Sequence, residues 1–376
     1  MIEVETFALA DPDSLITPCL LVYPERIRHN LELMLRIAGG TERLRPHVKT
    51  HKTPEIVQLE LELGIVKHKC ATLREAEMLA ECGAKDILVA YPQLGPAIGK
   101  FVELANRYSE TRFSTLVEHE EPARQLIDSA ASGGKVGIWI DIDNGMHRTG
   151  IPAARALSLV KLVSEASSVE LRGLHVYDGQ NHQPSRQERE QAVAELMQPV
   201  LQLIGECRTA GMEIPTLVCG GTPTFPVFAE LSESELGVRI ELSPGTSVLS
   251  DFNYGRDYQD LGEVQHAAVL MTRVISKQPD SGQFTCDLGN KAVAADPPAG
   301  TRCHFLGLTD VVQNKQNEEH LIVQCSEADK LKPGDVLYAL PAHICPTVAL
   351  HRFIHPVDDG DVIGRWEVTA RDRLYS

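Results

Sequence analysis

The sequence predicts an α/β protein: a (β/α)8 barrel of the TIM type, followed by a β-rich, barrel-like domain that the amino-terminal strand joins. Two observations carry this. Between about residues 40 and 250, eight short β-branched apolar runs alternate with longer amphipathic stretches, the pattern of parallel strands and crossover helices. From about Val264 onward the texture changes to short alternating segments with few helix-length patterns. The barrel is assigned to residues 24–258, and residues 1–23 with 259–376 to the β-rich domain.

The elements follow in order. Pro18 to Tyr23 precedes the barrel and is expected to return to the second domain as a strand, with Pro24 opening a helix behind it. The eight barrel runs are Leu44 to Lys49, Val66 to Ala71, Asp86 to Tyr91, Arg112 to Val117, Val136 to Ile142, Leu171 to Tyr177, Thr216 to Cys219 and Arg239 to Leu242. Thr53-Pro54 starts a helix with a cap and a first-turn proline, and Gly64 closes it. Thr72-Leu-Arg-Glu75 is a capping box, ended by Gly83. The later strands are Val264 to Ile275, Phe284 to Leu288, His320 to Cys325, Asp335 to Leu340 and Asp361 to Ala370. There is no repeat, low-complexity tract or long linker.

The chain of 376 residues is 43% hydrophobic, enough to bury a large core. Thirty-six Lys and Arg against 52 Asp and Glu leave a net charge of −16, the wrong sign for gripping phosphate backbones or anionic lipid. Nucleic acid and membrane are therefore not expected partners. The acidic amino terminus lacks Lys and Arg up to Asp13, unlike a targeting peptide, and no apolar run reaches membrane-spanning length. A cytoplasmic protein is expected. Nine cysteines without a C-x-x-C pair read as buried thiols in a reducing compartment.

In such barrels the chemistry lies at the carboxyl ends of the strands. The first run ends in Arg45-Pro-His-Val-Lys49-Thr-His51-Lys52, the fifth in Asp141-Ile-Asp143-Asn-Gly-Met-His147-Arg148, and the sixth in His175-Val-Tyr177-Asp178. A lysine at the inner end of a strand among His and Arg is costly to desolvate as an ammonium, which suits Lys49 to a Schiff base. Gly220-Gly221-Thr222 and Pro244-Gly245-Thr246, after the last two runs, offer backbone N–H groups and hydroxyls where barrel enzymes hold a phosphate. A lysine for an aldehyde and a cradle for a phosphate together suggest pyridoxal 5'-phosphate. His175, on an inward-facing position, is suited to lie on a cofactor ring or to move a proton near it, and Tyr177 is placed beside it. Arg148 is suited to a phenolate or a carboxylate. In the second domain, His343 and Cys345 stand two residues apart, hence on one face of a strand, where they can clamp a divalent ion and leave positions open. Glu318-Glu319-His320 is either a second shell for that ion or a solvated loop.

The stretches Arg45-Pro-His-Val-Lys49-Thr-His-Lys52 and Gly145-Met-His-Arg148-Thr-Gly, with the His343-Ile-Cys345 pair, resemble the fold-type III pyridoxal enzymes of the D-threonine aldolase and D-serine dehydratase group. The barrel also resembles the amino-terminal domain of alanine racemase. The resemblance implies that Lys49 forms the internal aldimine and that Lys52 stays outside the chemistry. It implies that His175 faces the pyridine ring, that the turns at Gly220 to Thr222 and at Gly245 hold the phosphate, and that His343 and Cys345 bind Zn²⁺ or Mn²⁺ near the substrate's β-hydroxyl. It further implies a homodimer.

There are departures. Racemases resembling this barrel carry an arginine, against the pyridine nitrogen, where this chain has Ser243. A catalytic tyrosine motif from the β-domain is also missing, which argues against an amino-acid racemase. Within the group, a carboxylate in place of Cys345 accompanies the aldolases and His-x-Cys the dehydratases. The barrel wording, Lys69-Cys-Ala-Thr-Leu-Arg-Glu-Ala-Glu-Met with Met146-His-Arg-Thr-Gly-Ile, looks closer to the D-threonine aldolase branch. The expected activity is cleavage of D-threonine to glycine and acetaldehyde, with conversion of D-serine to pyruvate and ammonia as the alternative. A non-catalytic pyridoxal phosphate-binding protein is a further alternative, set against by a second domain of more than 100 residues.

Overall fold

The computed structural model describes residues 3–131, 133, 136–279 and 281–373. The chain divides into two compact units. One comprises Met1–Leu31, Thr50–Ile56 and Thr246–Asp372, and the other Glu32–Lys49, Val57–Gly245 and Arg373–Ser376. Residues 246–258, expected with the barrel, thus group with the strand-rich unit.

In the barrel unit, Lys67–Cys70, Asp86–Pro92, Arg112–Val117, Val136–Asp143, Val169–Val176, Thr216–Cys219 and Arg239–Leu242 pair in that order, every neighbour parallel. The run expected as the first strand, Leu44 to Lys49, is not a regular strand. It is an extended link between 3-10 turns at Thr41–Arg43 and Val48–Thr50, held by isolated parallel bridges from Leu44 to Leu242 and from His47 to Lys69. The physical reason is Pro46, which has no N–H to give to a ladder. The link still occupies the eighth position. Arg45 N donates to Leu242 O at 2.8 Å, His47 N to Pro244 O at 2.9 Å, and Lys69 N to Pro46 O at 2.9 Å, closing the last strand on the Lys67–Cys70 strand.

The punctuation between strands follows the sequence. Thr72 Oγ1 accepts the Glu75 N–H at 3.1 Å, and Glu75 reaches back to the Ala71 N–H at 2.6 Å. Gly83 ends that helix at φ 94°. The Val169–Val176 strand carries a register irregularity at Gly173, where φ is 140° and a Cβ would stand 1.8 Å from the Thr216 carbonyl oxygen. Only glycine fits there.

The barrel interior has three tiers, each set by strand alternation. At the amino ends, fully buried Arg45 donates to Glu241 at 2.6 Å and to Asp86 at 2.8 Å. Above it Leu88, Leu116, Trp139 and Val218 pack as one apolar layer, with Trp139 Nε1 donating to Ser114 at 3.0 Å. Two residues beyond Trp139, and one strand over, Asp141 and His175 begin a polar tier.

In the other unit, Cys19–Val22 pairs antiparallel with Ala268–Gln278 and parallel with Phe353–Asp358, the returning strand expected from sequence. Pro24–Ala38 follows as a helix. The core packs Phe7, Leu21, Tyr23, Val269, Met271, Tyr338 and Leu340. Strands Gln283–Cys286, Leu321–Gln324 and Val336–Pro341 lie close to the expected runs, but Asp361 to Ala370 forms only the two-residue pieces Asp361–Val362 and Trp366–Glu367. Cys303–Phe305, Val312–Gln316 and Phe353–Asp358 are strands that the sequence pattern did not signal.

Candidate active site

Lys49 is placed by the barrel's closing link. His47 Nδ1 accepts the Lys49 N–H at 3.4 Å within the short turn, which presents the half-buried side chain at the carboxyl end of the strands. A second lysine, Lys69, lies on the neighbouring strand and is only 3% exposed. Its Nζ stands 5.2 Å from the Tyr177 ring centroid. Burial, then the nearby Lys49 charge, push the Lys69 ammonium down to about 7, against the opposing pull of Asp141. Sequence reasoning did not single out Lys69. The available signal was its spacing from Lys67, which puts both on the inner face of one strand.

His175 is buried, with Nδ1 2.6 Å from Asp141 Oδ1. Burial and the Lys69 charge hold its pKa below the ordinary value, outweighing Asp141. Asp141 itself is held below the usual carboxylate range: burial opposes this, but the His175 interaction prevails. The bond assigns the imidazole proton to Nδ1 and leaves a lone pair on Nε2, which is buried without a hydrogen-bond partner. The Tyr177 ring runs nearly parallel to His175, 15° apart with centroids separated by 6.4 Å. Arg148 reaches the same Tyr177 ring with Cζ 5.2 Å from its centroid. Its loop is shaped by Asp143, which accepts the N–H groups of Gly145 at 3.1 Å and His147 at 3.0 Å.

The two glycine turns meet, because Gly245 N donates to Thr222 Oγ1 at 3.3 Å. Gly220 sits at φ +72°, and a Cβ there would meet the Phe225 Cα at 2.9 Å. The Gly221 N–H is engaged by Asp178, which also accepts from Thr224 Oγ1 at 2.9 Å and Asn181 at 3.3 Å. The N–H groups of Gly221 and Gly245 thus brace the turns against each other and against Asp178. Burial pushes Asp178 up to about 6. Ser243 donates to the Arg45 carbonyl at 3.0 Å. Thr246 belongs to the strand-rich unit, where its Oγ1 is 3.7 Å from Cys345 Sγ.

His343 and Cys345 do not share a strand face. The strand ends at Pro341, His343 caps the helix Ile344–Leu350, and Cys345 lies in its first turn. The chain turns here because buried Asp251 accepts the Ile344 N–H at 3.1 Å, which anchors the helix start. The two side chains still interact. Burial alone would lower the His343 pKa, but Cys345 and Asp296 hold the imidazolium and bring it up to about 9. Asp296 hydrogen-bonds His343 Nδ1, and Cys345 Sγ is 3.1 Å from Thr50 Oγ1. A carboxylate behind an imidazole is the usual support of a metal-ligating histidine, so the pair fits an ion as two protein donors with open positions. Among the described residues no group of three or more His, Cys, Asp or Glu side chains is placed to hold a metal. Glu318 and Glu319 each pair with exposed Lys291 at 3.0 Å, so that loop is solvated and Asp296 takes the supporting place.

A cleft of about 540 Å³ opens elsewhere on the barrel unit, beside Arg208, Glu213, Glu233 and Arg239. It lies at the amino ends of the last two strands, where barrels of this kind do not carry chemistry. The polar tier remains the candidate site.

The alanine racemase N-terminal domain family matches residues 22–240, and a putative serine dehydratase domain matches residues 267–357. A D-threonine aldolase from Arthrobacter sp. is 27% identical, covering 94% of this chain and 92% of its own length. A D-threo-3-hydroxyaspartate dehydratase from Delftia sp. is 28% identical, covering 89% of this chain and 92% of its own. The crystal structure of D-threonine aldolase from Filomicrobium marinum superposes with a TM-score of 0.85 at 26% identity, covering 96% of this chain and 97% of that one. No helix among the described residues is long and apolar enough to cross a membrane.

Proposed function

The chain belongs to the alanine racemase N-terminal domain family, and from that premise we propose a pyridoxal 5'-phosphate- and divalent-metal-dependent lyase acting on D-β-hydroxy amino acids, specifically cleaving D-threonine to glycine and acetaldehyde. The observation that carries this reading is Lys49 on the barrel's closing turn together with a buried His175–Asp141 pair whose Nε2 has no hydrogen-bond partner among the described residues. Similarity over nearly the whole chain to a D-threonine aldolase supports the substrate class.

The residues fit the cofactor. Lys69 and Arg148 each face the Tyr177 ring, the Lys49 charge reaches Lys69, and Asp141 opposes them, which suits a flat, multiply anionic group. Bound through Lys49, pyridoxal phosphate supplies an electron sink for the bond that breaks. His343 and Cys345 would hold a divalent ion, Zn²⁺ or Mn²⁺, which would supply Lewis acidity for a hydroxyl oxygen, and the thiol leans toward Zn²⁺.

The protein's own groups do the rest. The turn at Val48–Thr50 presents the Lys49 amine in one direction. Asp141 fixes the tautomer and orientation of His175, so the Nε2 lone pair is available near neutral pH to take the substrate's hydroxyl proton. Arg148 supplies charge for an anionic oxygen of the cofactor or substrate. The braced turns at Gly220 to Thr222 and at Gly245, with Thr246, would form the phosphate end.

Dehydration of D-serine to pyruvate and ammonia is the second reading. It is favoured by the thiol of Cys345 as second donor, within the stretch that matches the serine dehydratase domain. There Lys49 takes the α-proton and the hydroxyl leaves. The reading extends to a cytoplasmic homodimer with a small D-amino acid as its partner. The test is borohydride reduction of the loaded protein followed by peptide mass mapping. A pyridoxyl adduct on Lys49 is expected, and an adduct on Lys69 or none at all overturns the assignment.

A further inference from the structure

Lys69 is the buried charge that the proposed reaction leaves without a task. Its Nζ and the Arg148 guanidinium each lie 5.2 Å from the centroid of the one Tyr177 ring. Among the described residues, the nearest opposing charge is Asp141, and its Oδ1 is already taken by His175. Lys69 also feels the Lys49 charge, as expected when the His47–Lys69 bridge ties their two segments together. An amine and a guanidinium against one aromatic ring, with a second amine in electrostatic reach, repel one another unless an anion sits among them.

We propose that Lys69 is a second cofactor-binding lysine, whose ammonium holds the ring phenolate oxygen of pyridoxal phosphate together with Arg148. The inference rests on the cofactor reading above. The chemistry selects the phenolate: in an imine of pyridoxal the 3-oxygen and the 5-phosphomethyl group both flank the ring carbon that bears the imine, but only the 3-oxygen lies within hydrogen-bond reach of the imine nitrogen. A cation within electrostatic reach of Lys49, on the side of Tyr177, therefore meets that oxygen. The phosphate, carried on a methylene at the 5-position on the other flank of the imine, is left to the braced turns. Lys69 was free to be apolar, since the strand positions beside it, His68 and Cys70, are fully buried. A lysine there costs desolvation, and binding the phenolate repays it by restoring the ammonium form.

The experiment titrates the cofactor-free protein with pyridoxal 5'-phosphate and, separately, with 3-deoxypyridoxal 5'-phosphate, in the wild type and in Lys69→Met. In the variant, affinity for pyridoxal phosphate is expected to fall about tenfold to a hundredfold, the scale of one charge-assisted hydrogen bond. Affinity for the 3-deoxy analogue should change less than about threefold, which also certifies that the barrel is folded. Equal losses for both ligands, or none for either, overturn the proposal. So does an unchanged cofactor affinity with a raised KM for D-threonine, which would assign Lys69 to the substrate carboxylate. A wild type that binds neither ligand would take down the cofactor reading itself, a result distinct from all of these.

Discussion

Replacing Arg45 by methionine tests whether the tier below the site is what holds the closing link in place. Arg45 is fully buried. It donates to Glu241 at 2.6 Å, to the Asp86 carboxylate at 2.8 Å and to the His68 carbonyl at 3.2 Å. Four residues later the same segment presents Lys49. Methionine keeps the volume and removes the charge, leaving two buried carboxylates short of a partner. Asp86 retains Arg172 at 2.7 Å and, farther out, Arg112 at 3.8 Å, and Glu241 retains Lys67 at 3.1 Å. The expected cost is therefore at the low end of the range for breaking a buried ion pair, about 3 kcal/mol.

The pH dependence gives a sharper signature. In the wild type, burial would raise both carboxyls, but Arg45 holds Asp86 and Glu241 below their ordinary values. Depressed carboxyls contribute stability above their unfolded pKa, and that contribution is lost as pH falls through the folded values. In Arg45→Met, burial is met by less charge, the carboxyls rise, and acid relieves the variant while it weakens the wild type. Denaturant midpoints at pH 7 and pH 4.5 should therefore show a deficit that shrinks on acidification. A deficit below about 1 kcal/mol at pH 7, or one that grows with acid, would refute the reasoning. Asp86→Asn with Glu241→Gln in the same background should restore part of the loss.

Other expectations follow from the site. Asp141→Asn should lower kcat by about a hundredfold through the lost orientation of His175. It should also move the acid limb of the pH profile downward, since Asp141 is the group that raises the His175 pKa; an upward move would contradict the assigned pair. Asp296→Asn should weaken divalent-metal affinity about tenfold to a hundredfold in chelator competition while leaving the cofactor's absorbance unchanged. His343→Ala and Cys345→Ala should keep that absorbance and lose most activity, and full activity in excess chelator would end the metal assignment. The enzyme should turn over D-threonine and not L-threonine, measured as acetaldehyde release from each enantiomer.

Much of this was legible in the sequence because the barrel speaks in alternation. Arg112–Val117, Thr216–Cys219 and Arg239–Leu242 fall where their β-branched runs begin and end. The first run failed as a strand because Pro46 interrupts it, yet its place in the barrel held through two bridges. The strand-rich unit was harder. Val312–Gln316 is largely solvated and polar, so it carries no apolar period, and Phe353–Asp358 is interrupted by a proline. At the site, Lys49 and His175 announced themselves by reactive neighbours. Lys69 did not, because its two-residue spacing from Lys67 puts both on one face but does not by itself say that this face turns inward. His343 and Cys345 were found by composition but misplaced onto a strand. A helix beginning at Ile344 depends on Asp251, 93 residues away, and no local pattern carries that.

The most direct test of the central claim is the partition of products. The purified protein is given pyridoxal phosphate, a divalent metal and D-threonine or D-serine, and glycine plus aldehyde is scored separately from keto acid plus ammonia. The account predicts glycine and acetaldehyde from D-threonine, with Cys345 compatible with carbon–carbon cleavage. Pyruvate and ammonia from D-serine, with no glycine from D-threonine, would contradict it and make the second metal donor the better guide to the reaction.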